Sequence, residues 1–169
     1  MSSLRINISK LSEGEHRYSL STEPPDIGLD DRFDRNVEVE VLVEKANRQF
    51  LLYAETRTHG KFVCDRCLEE FPQERESEYS VVYMQSGDPP DDLQQGHEII
   101  YLPQDVNIID LGEDVRQYLI LSLPLKMLCK DDCAGLCPVC GTNRNTKPCS
   151  CTVDETDPRW ATLKGFPGN

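Results

Sequence analysis

Eight cysteines in a chain of 169 residues, arranged as four close pairs, constrain this sequence more than any other feature. The pairs are Cys64/Cys67, Cys129/Cys133, Cys137/Cys140 and Cys149/Cys151. Thiols so spaced suit either the disulfide scaffold of a secreted protein or the metal site of an intracellular one. Residues 1–10 lack the apolar stretch of about 7 to 15 residues that a signal peptide needs, and no segment approaches the roughly 18 apolar residues of a membrane span. The expectation is a soluble cytoplasmic chain. There thiols stay reduced, and metal explains the cysteines better than bridges do.

Four sulfurs complete one tetrahedral zinc site, so the four pairs allow one or two Zn²⁺ ions. Cys137/Cys140 and Cys149/Cys151 flank a short polar, turn-forming stretch, Gly141 to Pro148, which suits a local ribbon-like site. Cys64/Cys67 would then join Cys129/Cys133 and close a loop of about 60 residues, where a clip removes much unfolded-chain entropy. Spacing only partly decides this pairing. Cys149 and Cys151, in a nonstandard Cys-x-Cys, could be surface thiols without metal, and Cys64/Cys67 or Cys137/Cys140 alone could form a redox pair. His16, His59 and His97 adjoin none of the pairs in sequence, so no activating group for a thiol enzyme is evident.

The rest of the chain reads as α+β: a predominantly antiparallel β body with a few helices, followed by the cysteine-rich segment. Leu4, Ile6 and Ile8 alternate with polar residues at period two, as do Val37, Val39, Val41 and Val43. Asn47 then marks a hairpin leading to Phe50, Leu52 and Ala54. An acidic, Pro-containing connector runs from Thr22 to Asp34. One strand runs into Phe62 and Val63, with the first cysteine pair where it ends, and a return strand is expected around Tyr79 to Met84. Gln85 to Gly96 reads as a mobile acidic loop, and Ile99–Leu102 and Val106–Ile109 as short apolar runs. Asp110 and Glu113, at N-cap to N3 spacing, predict a helix carrying Leu111, Val115, Tyr118, Leu119 and Ser122 on one stripe and ending before Pro124. A short terminal helix is expected over Asp157 to Leu163. The expected division is 1–128 as the body, including the first knuckle and one helix, and 129–169 as the zinc-binding segment and terminal helix.

Lys and Arg number 18 against 30 Asp and Glu, a formal net charge of −12. Eight thiolates holding two zinc ions would carry it to about −16. Broad attraction to nucleic acid is therefore absent, and a basic protein is the easier partner on charge alone. The side chains able to touch RNA or a partner are Arg66 in the first knuckle, Arg144 and Lys147 in the second metal loop, and Arg159, Trp160 and Lys164 near the end. Arg66 could equally bond carbonyls beside the metal, and Trp160 could pack on the body.

Three blocks of residues stand out: Cys64, Arg66, Cys67 and Leu68; then Cys129, Asp132, Cys133, Gly135, Leu136, Cys137, Pro138, Cys140 and Gly141; then Asp157, Pro158, Arg159, Trp160, Leu163 and Lys164. Together they resemble the large ribosomal RNA subunit accumulation protein family, YceD, a bacterial and plastid group. They span about the last 100 residues, and the first 60 match in pattern only. The resemblance implies a role in producing or retaining large-subunit (23S) rRNA in ribosome biogenesis, without a known catalytic activity. Some members of that family lack the second cysteine set, which implies that the two sets are separate units. The expected partner is a large-subunit rRNA precursor or a basic ribosomal protein, with no membrane and no small-molecule substrate. A thiol redox enzyme or sensor, and a zinc-ribbon adaptor outside the ribosome, are the alternatives that the residues leave open.

Overall fold

The computed structural model describes residues 3–85 and 98–152. The acidic loop, apart from Gln85, and the terminal helix expected from the sequence lie outside these residues. The chain divides into two compact units. One holds the described residues up to Phe62 together with Glu70 to Met127, and the other holds Val63–Glu69 with the described residues from Leu128 onward. The first knuckle thus groups with the cysteine-rich segment, because its two sulfurs meet Cys129 and Cys133.

In the first unit the period-two alternation becomes strands. Among the described residues the strands are β1 (Arg5–Asn7), β2 (Gly14–Thr22), β3 (Val37–Ala46), β4 (Gln49–Val63), β5 (Glu70–Gln85), β6 (Glu98–Leu102) and β7 (Ile108–Asp110). Strands β2 to β6 form one sheet in chain order, and β1 pairs with β7 in a separate antiparallel ribbon. β2, β3 and β4 pair antiparallel, while β6 runs parallel to β5. The turn between β3 and β4 is made by Asn47 at φ 57°, a left-handed conformation that Asn adopts more readily than most residues. β5 begins nine residues before the Tyr79 expected from the sequence, since residues 70–78 alternate half-buried with charged side chains and carry little apolar signal.

One face of the sheet is apolar. Val37, Val39 and Val43 of β3, Phe50 and Leu52 of β4 and Val81 of β5 are at most 1% exposed. Ile6 and Ile109 of the ribbon join the same core, with Leu4 just before β1, as do Leu111, Val115 and Leu119 at and within the helix that follows β7. Each such side chain contributes about 1.5–3 kcal/mol through removal from water. Buried Thr56 and Thr58 are satisfied, by Ser77 and by the Arg35 carbonyl.

Helix α1 spans Gly112–Leu121, and its buried residues include Val115 and Leu119 from the expected stripe. Its N-cap is Leu111, not Asp110. Asp110 is held as the last residue of β7 by pairing with Arg5, so its backbone is committed to the ribbon. Its carboxylate still accepts from the Gly112 amide at 3.0 Å and from Arg5 Nε at 2.9 Å. Tyr118 stacks on Tyr79 with ring centroids 4.5 Å apart, and Tyr83 donates to Asp114 at 2.7 Å, which fastens the helix to β5. Within the Thr22–Asp34 connector a 3-10 turn, Pro24–Ile27, closes on Gly28, whose carbonyl accepts from Arg116 of α1.

Candidate metal centres

Among its described residues the second unit has no ordinary hydrocarbon core. Among its described residues the buried apolar side chains are all cysteines: Cys64, Cys67, Cys133 and Cys137, none more than 5% exposed. The described part of the unit buries little hydrocarbon, and its converging sulfurs are where a metal ion could supply order.

Two knuckles of the same local geometry organise the unit. In the first, the Cys64 amide donates to the Glu69 carbonyl at 3.0 Å, and the Leu68 amide donates to the Cys64 carbonyl at 2.9 Å. In the second, the Cys137 amide donates to the Thr142 carbonyl at 2.8 Å, and the Gly141 amide to the Cys137 carbonyl at 2.9 Å. The residue after the second cysteine is left-handed in both, Leu68 at φ 60° and Gly141 at φ 72°. This tight return turns both sulfurs of a Cys-x-x-Cys to the same side.

The structure gathers the eight sulfurs into two sets, Cys64, Cys67, Cys129 and Cys133 in one, and Cys137, Cys140, Cys149 and Cys151 in the other. Within each set the ligand atoms lie within 4.8 Å of one another, an arrangement that could hold a metal ion. In the first set Cys64 and Cys133 are 3.8 Å apart and Cys67 and Cys129 3.7 Å, far from the roughly 2.05 Å of a disulfide. Cys149 of the second set lies 3.4 Å from both Cys137 and Cys140. The two sets differ in exposure: three of the first four cysteines are buried, while Cys140 and Cys151 are open to solvent.

Burial, hydrogen bonds and neighbouring sulfurs shift the thiols in opposite directions. Burial works against charge on Cys64, but backbone N–H groups of Cys129, Cys67 and Arg66 outweigh it and draw its pKa down to about 6. Burial and the other three sulfurs push Cys129 up to about 12. In the second set the Thr142 hydroxyl and amide draw Cys140 down to about 6, while Cys149 and Cys140 push Cys151 up to about 12. Like charges this close cannot all ionise together, and a divalent cation is what would let them.

The expected contact residues fall in different settings. The Arg66 guanidinium donates to the carbonyls of Cys133 at 3.0 Å and Asp131 at 3.4 Å. Its own carbonyl accepts from the Leu136 amide at 2.9 Å. Arg144 Nη2 donates to the Ala134 carbonyl at 2.6 Å. Both arginines therefore brace the loop that carries Cys133, and both line one shallow pocket with Leu136. Lys147 is exposed, and Arg159, Trp160 and Lys164 lie outside the described residues. Gly135, at φ 70°, passes so close to Arg66 that a Cβ there would stand 3.0 Å from the Arg66 carbonyl oxygen.

Two polar side chains missed in the sequence support the sulfurs. Asn145 donates to Cys133 Sγ at 3.3 Å while its Oδ1 accepts from the Ala134 amide at 2.8 Å. Thr142 Oγ1 lies 3.2 Å from Cys140 Sγ. Both sit in the stretch from Gly141 to Pro148, where Asn and Thr read simply as turn formers; their position between cysteine pairs was the available signal.

Against known proteins, the family described as Large ribosomal RNA subunit accumulation protein YceD matches residues 52–167. That match takes in both cysteine sets, and this chain belongs to the YceD family. It is similar to the Large ribosomal RNA subunit accumulation protein YCED homolog 1, chloroplastic, of Arabidopsis thaliana, at 24% identity over 75% of this chain and 47% of the relative. It is likewise 24% identical to an uncharacterized protein of Mycobacterium tuberculosis (strain H37Rv) over 75% of this chain and 60% of that one. A shorter stretch, 32% of this chain and 25% of the relative, is 38% identical to an uncharacterized protein of Mycobacterium leprae. The chain thus spans about half to three-fifths of the length of the first two relatives. No solved structure matches it. Among the described residues, no helix is long and apolar enough to cross a membrane.

Proposed function

We propose that this protein is a non-catalytic ribosome biogenesis factor that supports the accumulation or processing of large-subunit (23S) rRNA. The observation that carries this reading is family membership over residues 52–167, in a family named for large ribosomal RNA subunit accumulation. The Arabidopsis relative bears the same name. A cytoplasmic setting belongs to the same proposal.

The second unit acts as a surface made rigid by two Zn²⁺ ions, one held by Cys64, Cys67, Cys129 and Cys133 and the other by Cys137, Cys140, Cys149 and Cys151. Zinc is favoured by the donor set, since four sulfurs and no other ligand suit a soft, tetrahedral site. Ligands about 2.3 Å from a central ion stand roughly 3.8 Å apart at the corners of a tetrahedron, and the 3.7 and 3.8 Å separations of the first set agree with this. Four protein ligands leave no open position for water, so such sites supply order and not hydrolysis. The surface so held presents Arg66, Arg144 and Lys147, with Arg159, Trp160 and Lys164 further along the chain, to pre-rRNA or a ribosomal protein.

The test is depletion of the protein in its host, with large-subunit rRNA and its precursors measured against small-subunit rRNA and particles resolved by sedimentation. A selective fall in large-subunit rRNA, not rescued by the Cys64→Ser/Cys67→Ser variant, is expected. An unchanged ratio would remove the ribosomal role.

A further inference from the structure

The sheet face opposite the core carries a charge pattern that the fold does not need. The alternation that buries Val37, Val39 and Val41 places Glu38 and Glu40 on the other side of β3, and the same parity exposes Glu55 and Arg57 on β4 and Glu74, Glu76 and Glu78 on β5. Register turns this into contact. Glu38 stands opposite Arg57, a favourable cross-strand pair, but Glu40 stands directly opposite Glu55. Glu15 and Glu44 are opposed in the same way on β2 and β3. Like charges facing each other across a sheet are destabilising. Arg57 is already engaged by Glu76 at 2.7 Å and Glu74 at 3.7 Å. Among the described residues, Glu40, Glu55 and Glu78 have no cationic partner within ion-pair distance, although Glu40 accepts a hydrogen bond from the Ser19 hydroxyl.

These three carboxylates do not stand alone. They line one shallow depression together with Arg17, Leu42 and Tyr53; Arg17 stands opposite Leu42 on β2, and Leu42 faces Tyr53 across β3 and β4, so three carboxylates share the depression with one cation. Tyr53 is 43% exposed, an aromatic side chain left open to water. An aromatic and aliphatic floor with carboxylates beside it fits a long cationic side chain. The stem lies on Leu42 and Tyr53, the head group reaches the carboxylates, and the ring adds a cation–π contact. A single metal ion is a poor fit, because among the described residues the side chains whose ligand atoms converge for one are the two cysteine sets. Nucleic acid is repelled. Separate carboxylates spread over three strands call for separate positive charges on one flexible chain.

We propose that this open face of the β2–β6 sheet is a docking surface for an arginine- and lysine-rich polypeptide segment, which balances the excess of carboxylates that Arg17 and Arg57 leave on it. The inference deepens the ribosomal reading, and rests on it only for where such a segment would be met.

The probe is a fluorescently labelled oligoarginine peptide titrated into the full chain at physiological ionic strength, beside a single-stranded RNA oligonucleotide. Three variants are compared with the parent: Glu40→Gln/Glu55→Gln/Glu78→Gln; a charge-matched control, Glu23→Gln/Asp31→Asn/Asp105→Asn, built from exposed residues elsewhere; and Tyr53→Ser, which leaves charge unchanged. The face variant is expected to bind the peptide about tenfold more weakly or worse, the control within about twofold, and Tyr53→Ser several-fold more weakly. The face variant should also melt no lower than the parent, since it removes like-charge repulsion. Equal losses in the face and control variants would reduce the effect to net charge and overturn the proposal, as would RNA binding that depends on the three glutamates. If depletion lowers large-subunit rRNA while peptide binding ignores this face, the docking inference fails alone. Face-dependent peptide binding with an unchanged rRNA ratio would fail the ribosomal reading alone.

Discussion

The sulfur atoms of Cys64 and Cys133 stand 3.8 Å apart although 69 residues separate them in the chain. With Cys67 and Cys129 they close a long loop on a single point, which removes more unfolded-chain entropy than a local knuckle does. Replacing Cys64 by Ser leaves three sulfurs where four converge. The expected outcome is loss of one zinc per chain with the second set still loaded, read by metal analysis of the purified variant. Loss of both ions from this single change would show that the sets are not independent.

The two sets should also differ in how readily they give up metal. Cys64, Cys67 and Cys133 are buried, while Cys140 and Cys151 are exposed. A thiol-modifying reagent added to the folded protein is expected to release the ion of the second set first, at least tenfold faster, with the first following only as the unit opens. Following zinc release with a colorimetric chelator distinguishes two phases from one. A single phase would contradict the exposure difference.

Leu68 holds the position that Gly141 holds in the other knuckle, with φ 60° and 64% of its surface exposed. A side chain in the left-handed region costs roughly 1–2 kcal/mol relative to glycine. Leu68→Gly should therefore leave zinc binding intact and stabilise the knuckle by about 1 kcal/mol, less the extra freedom glycine gives the unfolded chain. Thermal melting of the zinc-loaded protein checks the direction. A clear loss of stability would mean that the Leu68 side chain makes contacts worth more than the strain it causes.

Gly60 poses the opposite problem. A Cβ there would stand 2.9 Å from the Arg32 carbonyl oxygen and 2.9 Å from the Phe62 ring, at the point where Phe33 bridges to β4. The Lys61 amide donates to that same carbonyl at 2.8 Å, so the backbone cannot easily move away. Gly60→Ala is expected to destabilise the first unit by about 1–3 kcal/mol, measured by denaturant unfolding, with zinc content unchanged.

Much of this architecture is written locally in the chain. The Val37–Val43 alternation and the Asn47 turn suffice to place β3 against β4, while the cysteine spacing only partly decides which pairs meet. Non-local relations were less legible. Nothing about Arg5 announces that it pairs with Asp110, and that pairing is what moves the N-cap of α1 from Asp110 to Leu111. The first half of β5 was missed because Gln73, Arg75 and Ser77 line its inner side, where burial is partial and the apolar signal weak. The parallel course of β6 against β5 depends on the path of the intervening chain, which composition does not specify. The acidic face was visible only as overall charge. Its meaning lies in the register that sets Glu40 against Glu55, and register is a property of paired strands. For the metal centres, cysteine positions were readable while the supporting roles of Asn145 and Thr142 were not, because the same residues suit any turn.

The most direct measurement is native mass spectrometry of the full chain purified without oxygen or chelators, before and after denaturation. The account predicts a folded chain carrying two zinc ions, whose mass falls to that of the bare polypeptide with eight reduced cysteines on unfolding. A folded chain with no metal and eight freely reactive thiols would contradict it.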